Sequence, residues 1–262
     1  MESELIRSPY GLIEIERWGD GDPVFAFFHG FGGSVKLYHR IIPFFRKAGF
    51  SGISVSFPYH GNSSDLPDHP PAFSIKTFSE WLLIWWEEEG LPIKHLVAHS
   101  MGSRVAMFLN ANHPKKFNSL HLIAPGGFYP WEIRMFRFYE TIVGQILLSI
   151  PFTGNQLMKF LIPGSKPLAR NRLRKVMKYY GGNYSGMDLY KQEVMHKLCL
   201  IEHPVHLIGG QNDHLLPPDF YKEIRQHFVN PTIHIIADSG HLPMRQEPQL
   251  TFDAIMSVVK EG

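Results

Sequence analysis

The 262-residue sequence holds one cysteine, Cys199. A lone thiol excludes an internal disulfide framework and any cysteine-built zinc cluster, and it is expected to behave as a small buried hydrophobe. Neither sign of charge dominates. The formal net charge of +2 gives no field that would draw nucleic acid or a membrane surface. Long apolar runs are missing as well. The longest patch, residues 142–152, is broken by Gly144, Gln145, Ser149 and Pro151, far short of the roughly 20 residues that span a bilayer. The first eight residues lack the basic start and apolar stretch of a secretory signal, so the expected compartment is the cytoplasm. Fifteen histidines contain no H-E-x-x-H or H-x-H pair, so no metal site is expected. His95, His121, His206 and His234 read as isolated histidines with structural or surface roles. Nothing calls for a cofactor.

Apolar residues make up 44% of the chain and charged residues 19%, an ordinary globular balance with enough length for a sizeable core. Six short apolar runs, at 24–28, 52–57, 93–98, 119–124, 204–208 and 232–236, read as strands. Most lack an alternating pattern, which fits a sheet covered on both faces. Between them lie amphipathic helical stripes. Tyr38, Ile41, Ile42 and Phe45 recur at helical spacing, with Ser34 as N-cap and Gly49 beyond the end. Phe78, Trp81, Leu82 and Trp85 repeat the pattern, as do Met101, Val105, Phe108 and Leu109. This alternation predicts an α/β fold, a doubly wound and mostly parallel sheet.

Residues 126–199 break the rhythm. They contain no convincing strand, only helical patterns interrupted by Pro151, Pro163, Pro167 and Gly181-Gly182. Ten basic residues face four acidic ones between Gly126 and Met195, so this part carries +6 and the rest of the chain −4. The expected organisation is therefore a core of residues 1–125 and 200–262 with a helical insertion at 126–199.

Three polar residues stand where the strands end. Ser100 lies in Ala98-His99-Ser100-Met101-Gly102, where an apolar strand turns into a helix. Such a turn pushes its middle residue out of the sheet edge and needs small neighbours. Gly102 is one; Ala98, where a glycine usually stands, adds a methyl. Asp213 follows the fifth of the six runs in Gly209-Gly210-Gln211-Asn212-Asp213, and His241 follows the last in Asp238-Ser239-Gly240-His241. In a parallel sheet the loops after strand C-termini share one edge, so the three side chains can meet. Two other aspartates compete for the acid role. Asp219 is better explained as the cap of a helix after Pro217-Pro218, and Asp238 as part of the turn before His241.

With these residues in place the chain resembles the alpha/beta-hydrolase superfamily over nearly its whole length. His29-Gly30-Phe31-Gly32-Gly33-Ser34 looks like that family's oxyanion loop, and Pro58-Tyr59-His60-Gly61-Asn62-Ser63-Ser64 like the loop after its fourth strand. The serine turn matches the nucleophile elbow, and the Asp213 and His241 loops match the acid and base loops. The insertion resembles the helical cap. The resemblance implies a Ser100–Asp213–His241 triad, with the backbone N–H groups of Phe31 and Met101 as oxyanion hole. It also implies a pocket lined by His29, Gly30, Gly32, His99, Phe128 and Trp131. The expected activity is that of a carboxylesterase-like serine hydrolase acting on a small or acyl-chain ester. A C–C bond hydrolase, lyase or perhydrolase on the same triad, and a non-catalytic binder on this scaffold, remain alternatives. Dehalogenases and epoxide hydrolases of the family carry an aspartate where Ser100 stands. The basic run Arg170-Asn171-Arg172-Leu173-Arg174-Lys175 reads first as a solvated face; its sharper reading is a docking patch for acyl carrier protein.

Overall fold

The computed structural model describes residues 2–64, 74–128 and 193–259. Eight strands are formed: β1 (Ser3–Ser8), β2 (Gly11–Trp18), β3 (Phe25–Phe28), β4 (Gly52–Val55), β5 (His95–His99), β6 (Ser119–Ile123), β7 (Val205–Gly210) and β8 (Thr232–Ile236). They make one sheet in the order β1-β2-β4-β3-β5-β6-β7-β8. From β4 to β8 every pairing is parallel, while β1–β2 and β2–β4 are antiparallel. The six expected strands are all present. The β1–β2 hairpin is an addition, turning at Pro9-Tyr10 just before β2 opens on Gly11 at φ 94°.

Helices cover both faces. On one side lie α2 (Ile75–Glu88), α3 (Ser103–Asn112) and α4 (Phe220–Ile224), which pack Phe78, Leu82, Trp86, Val105, Leu109 and Tyr221 against Phe28, Ala98, Leu122 and Leu207. On the other lie α1 (Ile42–Lys47) and α6 (Pro248–Met256), which bring Ile42, Phe45 and Ile255 against Phe27, Val97, Ile123 and Ile208. Adjacent strand residues thus serve opposite cores, which is why these strands read as unbroken apolar runs. A short α5 (Pro243–Gln246) precedes α6.

Local details depart from the sequence reading in instructive ways. The stripe from Tyr38 to Phe45 is two pieces, a 3-10 turn at Val35–Tyr38 capped by Ser34 and then α1. Pro43, with no N–H to donate, begins the second piece rather than continuing the first. Helix α2 starts with a reciprocal capping box between Ser74 and Thr77. Asp219 precedes α4 as expected but makes no capping bond; its carboxylate instead takes the exposed Lys222 ammonium at 2.9 Å. Cys199 is exposed, against expectation. In its short 3-10 segment, Met195–Leu200, the buried side is taken by Leu198, with Val194 and Ile201 on its flanks.

The strand histidines are not isolated. Parallel register lines up His121 with His206, and the four residues His95, His121, His206 and His234 fall on successive strands β5 to β8. Ser119 Oγ sits 2.7 Å from both His95 Nδ1 and His121 Nε2. Ring centroids are 5.0 Å apart for His121–His206 and 4.8 Å for His206–His234. Burial, reinforced by neighbouring positive charge, pushes His95 and His206 down to about 4. Burial also holds His121 well below the ordinary 6.5 and lowers His234. The unfolded chain therefore takes up protons as pH falls through 6.5, while in the folded row His95 and His206 resist until about 4 and His121 and His234 also stay neutral below 6.5. Stability supplied by the neutral row is complete above pH 6.5 and is lost as pH falls toward 4. The urea midpoint is expected to hold between pH 8 and 7 and to drop between pH 6.5 and 4. His206→Asn keeps a donor for the Ala254 carbonyl that His206 Nδ1 meets at 2.8 Å and should make that drop shallower. A midpoint unchanged from pH 7 to 5 would contradict this.

Candidate active site

The described residues of the candidate site lie at or just beyond the C-terminal ends of parallel strands. Four residues other than glycine adopt left-handed backbone among the described residues: Tyr59 (φ 63°), Ser100 (48°), Ala124 (43°) and Asp238 (55°). They follow β4, β5, β6 and β8. Conformations of this kind cost on the order of 1–3 kcal/mol each and persist only where the surroundings hold them. Here they share one sheet edge.

Ser100 shows how that holding works. Extended backbone at His99 gives way to a 3-10 turn, Ser100–Gly102, that leads into α3. The Ser100 carbonyl accepts the Gly126 N–H at 3.0 Å from the loop after β6. Gly102 passes under the end of β3, and a methyl there would sit 2.6 Å from the carbonyl oxygens of both Phe28 and His29. Ala98 is fully buried in the core beside α3, so its methyl fills apolar space on the strand and does not obstruct the turn.

The second component is a carboxylate–imidazole pair. Asp213 Oδ2 lies 2.8 Å from His241 Nδ1. Its other oxygen accepts the backbone N–H groups of Leu215 and Leu216 at 2.9 and 3.0 Å. The aspartate side chain is wholly buried and the histidine side chain is 9% exposed. A carboxylate with both oxygens committed holds the ring in one orientation, Nδ1 as donor and Nε2 outward. The two loops are joined by Asn212 N–H to the Ser239 carbonyl at 2.8 Å, and Gly240 N–H is held by Gln246 Oε1 at 2.8 Å. Asp238 takes no part in the pair; it shapes the turn with its positive φ.

The third component is the loop after β3. Gly33 N–H closes a turn on the Gly30 carbonyl at 3.0 Å, with Phe31 and Gly32 between them and Gly32 at φ 73°. Gly30 has no room for a side chain. A Cβ there would stand 2.5 Å from His99 Nδ1 and 3.0 Å from Ser100 Cβ, so this loop rests directly against the serine turn. Met101, whose N–H follows the serine, is 7% exposed.

Two of the residues expected to line a pocket do something else. His29 is fully buried. Its Nδ1–H donates to the Gly30 carbonyl at 2.7 Å and its Nε2 accepts the Phe57 N–H at 3.0 Å, so the ring is neutral and braces the loop. Burial holds its pKa well below 6.5, in keeping with that state. His99 is 3% exposed, and its Nε2 lies 2.9 Å from the His241 carbonyl. Neither ring is open to a ligand, because both are buried, His29 with both nitrogens on backbone groups and His99 with Nε2 on one. Phe128 is half-buried with its ring against His227 and Phe228. Trp131, the basic run at Arg170–Lys175 and most of the 126–199 insertion lie outside the described residues.

Sequence reasoning also passed over residues that support the site. Glu14, on β2, is buried and receives Ser56 Oγ–H at 2.7 Å, Asn62 N–H at 2.9 Å and Asn62 Nδ2 at 2.7 Å. Ser56 Oγ in turn accepts the Val35 N–H at 3.0 Å. One carboxylate thus ties the loop after β4 to the loop after β3. The available signal was a charged residue between Ile13 and Ile15. Tyr38 O–H caps the Phe28 carbonyl at 2.7 Å, and burial raises its pKa well above 10. Among the described residues no group of histidine, cysteine, aspartate and glutamate has the makings of a metal site.

A family model described as the alpha/beta hydrolase fold matches residues 23–248. A Mycoplasma pneumoniae protein whose name gives it provisionally as an esterase/lipase is 24% identical over 246 residues, covering 88% of this chain and 87% of its own. The mouse sn-1-specific diacylglycerol lipase ABHD11 is 26% identical over 266 residues, covering 91% and 82%. Among solved structures, an alpha/beta hydrolase fold protein from Burkholderia ambifaria superimposes with a TM-score of 0.76 at 16% identity, over 97% of both chains. At that identity the likeness establishes the fold alone.

Two substitutions probe the packing of this edge. Gly30→Ala forces the loop away from His99 and Ser100, and turnover of any substrate should fall about 100-fold or more while the melting temperature moves little. Ala98→Gly removes a buried methyl and frees the strand backbone. It should cost about 1–2 kcal/mol in urea unfolding with no gain in activity; a more active Ala98→Gly enzyme would mean that the methyl does obstruct the turn.

Proposed function

The chain belongs to the alpha/beta hydrolase fold family, and on that premise we propose that it is a serine hydrolase of carboxylic esters. The observation that carries the proposal is the Asp213–His241 hydrogen bond of 2.8 Å on the same sheet edge as a serine held at φ 48°. In this reading Ser100 Oγ attacks the ester carbonyl carbon. His241 Nε2 takes the hydroxyl proton as the C–O bond forms, since a serine hydroxyl is a weak nucleophile until a base relieves it of that proton. Asp213 keeps the imidazole in the acceptor tautomer and stabilises the cation it becomes.

The carbonyl oxygen then carries the negative charge. The N–H groups of Phe31 and Met101 are assigned to receive it, one from the loop braced by His29 and one from the start of the helical turn. Each fixed donor of this type contributes on the order of 3 kcal/mol to transition-state stabilisation. Collapse of the intermediate breaks the ester C–O bond. The departing alkoxide takes the proton from His241, leaving an acyl group on Ser100. Water, deprotonated by the same imidazole, attacks the acyl carbon; the bond to Ser100 Oγ breaks, that oxygen takes the proton back from His241, and the carboxylic acid departs and ionises in solvent. Every step closes on these residues without a metal or redox group.

An acyl ester is the favoured substrate class because one relative over most of the chain is named as an esterase/lipase and another as a diacylglycerol lipase. No helix among the described residues is long and apolar enough to cross a membrane. Incubation with a fluorophosphonate probe is expected to label the wild-type chain, and Ser100→Ala to abolish labelling. The same substitution should cut hydrolysis of p-nitrophenyl esters at least about 1,000-fold. A p-nitrophenyl series of rising chain length reads out acyl preference in the same assay. Labelling that persists in Ser100→Ala would remove Ser100 from the reaction.

A further inference from the structure

We propose that His99 is a positioning residue, whose Nε2–H fixes the main chain of His241 and thereby sets the reach of that imidazole toward Ser100. The inference rests on the triad reading above and assigns a role to the residue directly before the serine.

The chemistry of the ring leaves one arrangement. A carbonyl oxygen only accepts, so the 2.9 Å contact from Nε2 to the His241 carbonyl puts the proton on Nε2. A neutral imidazole has one N–H, so Nδ1 is bare. That nitrogen is buried with no hydrogen-bond partner, and it faces Gly30 so closely that a methyl there would stand 2.5 Å away. A buried bare nitrogen is a penalty that leucine or methionine in the same space would not carry. What the imidazole provides against that penalty is its bond to the His241 carbonyl and an edge-on ring contact with His241 at 4.9 Å.

His241 is thus gripped from two sides, Asp213 on the ring and His99 on the backbone, across 142 residues of sequence. The same imidazole lies against the loop after β3 at Gly30, and its own residue directly precedes Ser100 in the chain. His99 thus meets all three parts of the site. Its protonation is disfavoured first by burial and next by the charge of a protonated His241. When His241 holds the serine proton, His99 therefore does not compete for it and the grip is not lost.

The test compares His99→Met, which fills the space without a donor, with His99→Gln, whose amide N–H reaches the place of Nε2. With p-nitrophenyl butyrate, His99→Met should lower kcat about 100-fold with KM within about twofold, and His99→Gln should recover kcat to within about fivefold of wild type. Equal impairment in both, or unchanged kcat in His99→Met, overturns the proposal, since a space-filling role makes no distinction between them. If His99→Met fails to fold, His99→Asn replaces it. That variant has the same amide on a stem too short to reach, so it should stay impaired where glutamine recovers, and equal kcat in the two overturns the proposal. Ser100→Ala separates the two levels of inference. Turnover surviving there defeats the triad reading itself. Turnover lost there, with His99→Met fully active, defeats only the role of His99.

Discussion

The left-handed backbone of Ser100 is the constraint around which the rest of this edge is arranged. A residue with a Cβ at φ 48° is held against its own preference, and the holding groups come from every neighbouring loop. Gly126 takes its carbonyl. Gly102 gives the following turn clearance under the Phe28 and His29 carbonyls. Gly30 brings the loop after β3 to within contact of Ser100 Cβ. The strain is local, at about 1–3 kcal/mol, whereas the restraint comes from the loops after three strands, β3, β5 and β6. Three further left-handed residues on the same edge indicate that backbone cost is concentrated where the side chains are to be presented, and not in the sheet beneath.

Charge is managed in the same way, by enclosing each buried polar group with a specific partner. Asp213 is acceptable inside the protein because two backbone N–H groups and an imidazole meet its oxygens. Glu14 is acceptable because Ser56 and Asn62 do so. The histidines divide by environment. His29 and His99, enclosed and held neutral, serve as braces, while His241, with a side chain 9% exposed and a carboxylate behind it, is the one assigned the proton transfer in the proposed reaction. The row from His95 to His234 lies on the strands themselves and has no part in that chemistry; its consequence is a pH-dependent fold.

Much of this was legible before the fold was known, and the reasons differ by element. The six strands from β3 to β8 announced themselves because most of their residues are apolar and, short of the edge strand β8, buried. Strands β1 and β2 did not, because β2 places Glu14 and Glu16 on an inward face where only their partners make them tolerable. Those partners, Ser56, Asn62 and His39, are far away in sequence. The placing of Ser100, Asp213 and His241 on one edge was legible because strand ends in a parallel sheet share an edge, a rule of topology that the order of runs already contains. The bond from His99 to the His241 carbonyl was not, since burial and a bond to a backbone carbonyl depend on packing that residue type does not encode. The alignment of strand histidines was hidden for a similar cause. It is a property of register between β6, β7 and β8, and register appears nowhere in a single strand.

The central claim is that Ser100 carries the acyl group between the two halves of the reaction. A carbamoylating ester, p-nitrophenyl dimethylcarbamate, makes that intermediate long-lived enough to weigh. The account predicts release of one p-nitrophenol per chain and a carbamoyl mass on the peptide that contains Ser100. Esterase turnover in a chain that acquires no such mass, or acquires it on a different residue, would contradict it.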